Sequence, residues 1–295
     1  MKIGFIGTGN IGAPICANFI RKGHSVLAYD RDPAALDRVE GAARAGSAAE
    51  VAAAAEVVFG CLPGPAEVES VALGADGIAD GAHEGLVFVD LATNFPAAVK
   101  RVAEGLAAKG VAMLEAPVGN GVVGAREGRA SVICGGDRAL FERIEPLFCC
   151  FATTIHHVGP LGNASIVKSI DILVSGINLA AACEGFLLGA RAGIDPDVLF
   201  DVVSTNSGSS EQLKRRMKRK ILAGDFKAEG SMDLALKDLR VTMDLADRTG
   251  TPMRYGSLLY EQFTAAIAKG WGGEDWCVLM RLLEDVTGDR VRSKR

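Results

Sequence analysis

Hydrophobic and polar positions follow two regimes along this chain. Up to about residue 160, short apolar and β-branched runs alternate with alanine-rich segments of helical period. The runs KIGFIG (2–7), SVLAYD (25–30), EVVFGCL (56–62), LVFVD (86–90), VAMLEAPV (111–118), ASVICGG (130–136) and TTIHHVG (153–159) predict strands. Helical patterns at about 10–22, 33–41, 47–54, 65–72, 96–109 and 137–147 fall between most of them. Alternation at this spacing predicts βαβ units and a parallel sheet. VVFGCL and LVFVD do not alternate internally, as expected of strands covered on both faces.

Beyond residue 160 the strand pattern stops. Helical periodicity runs over about 163–192, 195–204, 210–223, 231–249 and 252–269, with breaks at Gly193–Pro196 and Gly250–Pro252. The pattern predicts an α/β domain over 1–161, then a long helix leading into an all-α domain over 162–295. No flexible linker separates the two, so ligands are expected between them. The most apolar stretch, about 165–194, contains Lys168, Asp171, Glu184 and Arg191. Charges at that density predict a buried helix of a soluble protein, not a membrane span. The apolar run at the N-terminus is too short for a signal sequence.

Composition narrows the function classes. The formal net charge of −4 over 295 residues gives no reason to expect a nucleic-acid partner. Seven cysteines, an odd number without C-x-x-C spacing, predict reduced, mostly buried thiols and a cytoplasmic setting. His156–His157 has no third ligand in sight, so no metal is expected. The basic run LKRRMKRK (213–220) predicts a solvated or subunit-facing helix surface. Extensive apolar faces on the later helices predict a homodimer or homotetramer.

Chemistry enters with Gly7-Thr8-Gly9-Asn10-Ile11-Gly12, a G-x-G-x-x-G pattern that follows a predicted strand and opens a predicted helix. The first glycine permits the turn, the second lets backbone approach a pyrophosphate, and the third packs helix on strand. Asp30 ends the next strand, where a carboxylate takes a ribose 2′-hydroxyl and repels a 2′-phosphate. That favours NAD, while Arg31 beside it leaves NADP open. The first domain is therefore expected to be a Rossmann doubly wound sheet.

Four further stretches occur in order: CLPGPAEV (61–68), VDLATNFP (89–96), EAPVGNGVVGAREG (115–128) and GNASIVK (162–168), followed by LALKDL (234–239). With the glycine loop, they make the chain resemble the β-hydroxyacid dehydrogenases, which include 3-hydroxyisobutyrate, tartronate-semialdehyde, threonate and 6-phosphogluconate dehydrogenases. The resemblance spans essentially the whole chain. It implies that Leu62, Pro63 and Thr93 line the nicotinamide ribose and that Lys237 lies near the nicotinamide and substrate. Ala92 replaces a usual serine. Lys168 matches the catalytic lysine, which implies that its side chain exchanges the proton of the substrate hydroxyl group.

Two departures follow. Asparagine usually stands one turn after the lysine, where this chain has Asp171 and Ile172. Asp171 pairs with Lys168, binds a cationic or polyol substrate, or only fixes the lysine. In the substrate loop, Glu115 replaces aspartate, Gly119 replaces a serine and Asn120 replaces a glycine. Gly119, Asn120 and Gly121 still present backbone to an anion, and Asn120 is a candidate for the lost polar contact. Some sulfonate-using relatives resemble this loop in carrying glycine at the serine position. STNSGSSEQL (204–213) is a second candidate anion contact or a plain capped helix start. The expected activity is NAD(P)-dependent interconversion of a small hydroxy acid and its oxo or semialdehyde form. The alternatives are reduction of a sulfo-aldehyde or imine, or dinucleotide binding without catalysis.

Overall fold

The computed structural model describes residues 2–294. The chain forms two compact units, Met1–Lys168 and Ser169–Arg295. In the first, six strands form one parallel sheet: β1 (Lys2–Ile6), β2 (Ser25–Tyr29), β3 (Ala43–Arg44), β4 (Val57–Gly60), β5 (Val87–Asp90) and β6 (Ala112–Glu115), in the order β3-β2-β1-β4-β5-β6. The order reverses between β1 and β4, which is where a doubly wound sheet opens its ligand crevice.

Alternate residues of the longer strands feed two cores. Ile3, Phe5, Val57, Phe59, Val87, Val89 and Leu114 share one with Ile15, Cys16 and Phe19 of α1 (Gly12–Arg21). Ile6, Val58, Phe88 and Met113 belong to the other, with Val51 of α2 (Ala48–Ala54), Val68 of α3 (Pro65–Leu73) and Val99 of α4 (Pro96–Ala107). Both faces are dry, so the strands carry no polar alternation.

The run VAMLEAPV is not one strand. Pro117, which lacks an N–H, ends β6 at Glu115, and the chain resumes as β7 (Val118–Gly119) in a second sheet. There β8 (Ala130–Cys134) pairs antiparallel with β7 and parallel with β9 (Ala152–His157). Short α5 (Gly121–Arg126) and α6 (Arg138–Phe148) complete this region. Residues 33–38 wind as a 3-10 helix behind the N-cap Asp32, where a longer helical pattern was expected.

The second unit is helical: most of α7 (Asn163–Arg191), then α8 (Pro196–Val203), α9 (Met232–Thr249), α10 (Arg254–Ala268) and α11 (Leu279–Thr287), the last lying beyond the helices expected from periodicity. α7 is long and apolar enough to cross a membrane by composition. It buries Leu179, Cys183, Phe186 and Leu187 in the unit's core but leaves Ile170, Val174 and Leu188 exposed. The helix expected to be buried is therefore only partly so.

The basic run also departs from expectation. Residues 213–222 form a π-helix whose wider winding turns Lys220, Ile221 and Leu222 inward together. Lys220 donates to Asp225 Oδ2 at 3.1 Å and to the Lys227 carbonyl at 2.8 Å. Arg216 pairs with fully buried Asp275 and lies 4.7 Å over the Trp276 ring. Burial pushes the Asp275 carboxyl up. Arg216 and the amides of Glu229 and Cys277 outweigh it and hold the group below its ordinary range. This half of the run is structural interior, because Asp225, Glu229 and Asp275 receive it on the 225–229 and 275 turns.

Asp275→Asn strands Arg216, so about 3–5 kcal/mol of stability is expected to disappear at neutral pH, measured by urea unfolding. The Asp275 contribution is complete above the ordinary aspartate value of 3.8 and falls away as acid protonates the group below it.

Candidate active site

Four loops leave the sheet at the C-terminal ends of β1, β2, β4 and β5. Gly7 has φ +92° and donates to the Tyr29 carbonyl at 3.0 Å, tying the turn after β1 to β2. A Cβ on Gly7 would lie 2.3 Å from the Cys61 carbonyl oxygen, and one on Gly12 would lie 1.9 Å from that of Gly7. Both positions exclude any side chain. At Gly9 a Cβ would meet nothing within 4 Å. That space lies at the start of α1, the place where a pyrophosphate approaches backbone. The loop therefore fits a dinucleotide.

Asp30 follows β2 and is committed to the loop. Its Oδ2 accepts from the Thr8 amide at 2.6 Å and the Thr8 hydroxyl at 3.3 Å, and Oδ1 accepts from the Asp32 amide at 2.9 Å. Arg31 is exposed. Arg38 donates to Asn10 Oδ1 at 3.2 Å, and Ile11 is half-buried at the base of α1. Leu62 and Pro63 follow β4. Thr93 follows β5 in a loop pinned by buried Asp90, which accepts from the Ala92 amide at 2.9 Å and from the Asn94 side chain.

Glu115, at the end of β6, does something the sequence did not disclose. Its carboxylate reaches the start of α7. It accepts from the amides of Gly162, Ala164 (3.0 Å) and Ser165 (3.1 Å) and from the Ser165 hydroxyl (2.6 Å). A carboxylate there satisfies orphan amides and complements the helix dipole. Burial raises the Glu115 pKa, and these four donors offset only part of that rise. Lys168 sits on the same first turns of α7 and is 9% exposed. Its Nζ lies 3.8 Å from the point where a Cβ on Gly119 would be.

Within the first unit, then, the glycine loop, Asp30, Leu62, Pro63 and Thr93 gather at one edge of the parallel sheet. Gly119 lies beside Lys168. Asn120 takes the left-handed conformation, φ +67°, and donates to the Arg129 carbonyl at 3.1 Å; Gly121 follows at φ +58°. Asp171 and Lys237 belong to the second unit. Asp171 is exposed on α7, and Lys237 on α9 lies 2.8 Å from Asp238. The α9 helix is held to α7 by Thr242, which donates to the Ser169 carbonyl at 3.0 Å. All seven cysteines are free thiols, and burial pushes those of Cys16, Cys61 and Cys134 up to about 12, far from nucleophilic use.

Comparison with known proteins fits this geometry. Residues 2–159 match the model described as the NAD binding domain of 6-phosphogluconate dehydrogenase, and residues 162–283 match the NAD-binding region of NADP-dependent 3-hydroxyisobutyrate dehydrogenase. The chain belongs to the β-hydroxyacid dehydrogenase family. Its relatives include 2-(hydroxymethyl)glutarate dehydrogenase of Eubacterium barkeri, 32% identical over 99% of this chain and 97% of that one. Another is 2-hydroxy-3-oxopropionate reductase of Escherichia coli (strain K12), 31% identical over 96% and 97%. The solved Mycobacterium tuberculosis 3-hydroxyisobutyrate dehydrogenase with L-serine superposes with a TM-score of 0.86 at 28% identity, covering 96% of this chain and 98% of that one. The dehydrogenase described here is an NAD(P)-dependent oxidoreductase acting on a hydroxyl-bearing carbon.

Replacing Glu115 by Gln keeps the shape but turns an amide donor towards amide donors. A loss of about 1–3 kcal/mol is expected in urea unfolding at neutral pH. Because the folded pKa is raised, the native state holds the proton longer than the unfolded chain does. The stability gap between wild type and E115Q should be widest below the ordinary glutamate value of 4.5 and narrow as pH climbs through the raised value.

Proposed function

We propose that this dehydrogenase interconverts a small hydroxy acid and its oxo or semialdehyde form, with Lys168 holding and moving the hydroxyl proton. The observation that supports it best is the setting of Lys168. A buried lysine stands on a helix start clamped by Glu115 and faces the bare backbone of Gly119. A proton donor or acceptor contributes to rate only when it is held within reach of the reacting oxygen, and the clamp supplies that fixity.

In this reading, Gly7, Thr8, Gly9, Asn10, Ile11 and Gly12 hold the pyrophosphate through backbone amides and the dipole of α1. Asp30, with Arg31 beside it, faces the adenosine ribose. Its carboxylate, already oriented by Thr8, favours NAD over a 2′-phosphorylated cofactor. Leu62, Pro63 and Thr93 line the nicotinamide ribose. The nicotinamide, when bound, supplies the hydride acceptor or donor. Gly119, Asn120 and Gly121 border the substrate. Lys237 is assigned to the cofactor on the family pattern, and Asp171 to the substrate by its place one turn after Lys168.

Free thiols throughout favour a reducing, cytoplasmic setting. The exposed apolar side chains Leu188, Val202, Leu258 and Val286 of the second unit favour a homodimer or homotetramer that covers them.

The deciding experiment follows nicotinamide absorbance with NAD and NADP over hydroxy acids, semialdehydes, sulfonates and cyclic imines, with Lys168→Ala beside the wild type. A loss of roughly a hundredfold or more in turnover, at unchanged dinucleotide affinity, is expected. Equal turnover by both proteins removes Lys168 from the chemistry. Dinucleotide binding without turnover of any compound in the panel by wild type argues for the non-catalytic alternative.

A further inference from the structure

Position 119 itself carries no side-chain donor, yet the structure does not leave the place without one. β7 runs antiparallel to β8, and Gly119 stands directly opposite Ser131. Residues directly opposite in such a pair project to the same face of the sheet. A Cβ on Gly119 would lie 2.2 Å from Ser131 Oγ and 3.8 Å from Lys168 Nζ. The Ser131 hydroxyl thus fills the volume that a residue-119 side chain would take, beside the Lys168 ammonium.

The rest of β8 explains why this hydroxyl is available. Ala130, Val132 and Cys134 point into the core, whereas Ser131 and Ile133 lie on the partly open face. Among the described residues, the Ser131 side chain has no hydrogen-bond partner. The Asn120 side chain, the nearer candidate in sequence, is turned to the Arg129 carbonyl.

We infer that Ser131 is a substrate-binding residue, its hydroxyl donating to the anionic head of the hydroxy acid in place of the side chain missing at Gly119. The inference rests on the hydroxy-acid reading above and adds a residue to its substrate site. Hydroxyl and ammonium flank one point, so the acid group and the reacting hydroxyl of the substrate stand only a few bonds apart. A hydroxyl donating to a carboxylate oxygen is a charge-assisted bond and belongs to the stronger kind. Absence of a Cβ at 119 is the condition for this arrangement, since any side chain there would drive Ser131 out of its position.

Steady-state kinetics on the best short hydroxy acid, with dinucleotide affinity measured separately, test it. Ser131→Ala should raise KM roughly 10- to 100-fold and leave dinucleotide affinity and melting temperature unchanged. Ser131→Thr should retain most of the wild-type KM. Gly119→Ser combined with Ser131→Gly should recover much of the loss by returning a hydroxyl from the opposite strand. A wild-type KM in S131A overturns the inference, and if K168A is inactive in the same assay the hydroxy-acid reading stands. A loss that neither Ser131→Thr nor the exchanged pair repairs assigns the effect to packing and also overturns it. No turnover of any hydroxy acid by wild type removes the underlying reading and this inference with it.

Discussion

A single carboxylate joins the sheet to the lysine on which the chemistry is proposed to turn. Glu115 ends β6 and receives three backbone amides and one hydroxyl from the start of α7. Without it, the first turn of a 29-residue helix would present buried, unpaired N–H groups. With it, the position of Lys168 is tied to the last residue of β6, an edge strand of the parallel sheet. The first compact unit accordingly extends to Lys168 and takes in the opening turns of α7, past the end of β9.

Asp30 and Asp90 repeat the device. Each sits at the end of its strand and pulls a loop amide onto itself, Thr8 for Asp30 and Ala92 for Asp90. A buried or half-buried carboxylate needs such donors to offset lost hydration. Spending those bonds on loops that carry the glycine turn, Thr93 and Lys168 makes three otherwise soft connections rigid. Rigidity of this kind is what proton and hydride transfer require of their surroundings. The second unit uses the same logic for stability: Arg216 and Lys220 leave the solvent to meet Asp275 and Asp225.

Much of this was legible in the chain. Two-faced apolar strands, helical spacing and glycine punctuation identified all but the shortest of the sheet's strands and the helical second half, because burial on both faces removes polar alternation. The glycine pattern, Asp30 and the ordered family stretches pointed to a nicotinamide-dependent enzyme. Less legible were the split of VAMLEAPV, decided by the missing N–H of Pro117, and the inward turn of the basic run, decided by carboxylates distant in sequence.

What the sequence determined by itself is therefore local: which segments fold as strand or helix, where a pyrophosphate can approach backbone, and which lysine matches the catalytic pattern. The tertiary structure decided which groups stand together. Glu115 and Ser165 are 50 residues apart in the chain and share a hydrogen bond. Gly119 and Ser131 meet only through the register of β7 on β8. Register and helix docking are set by packing across the whole unit, and no periodicity in one segment encodes them.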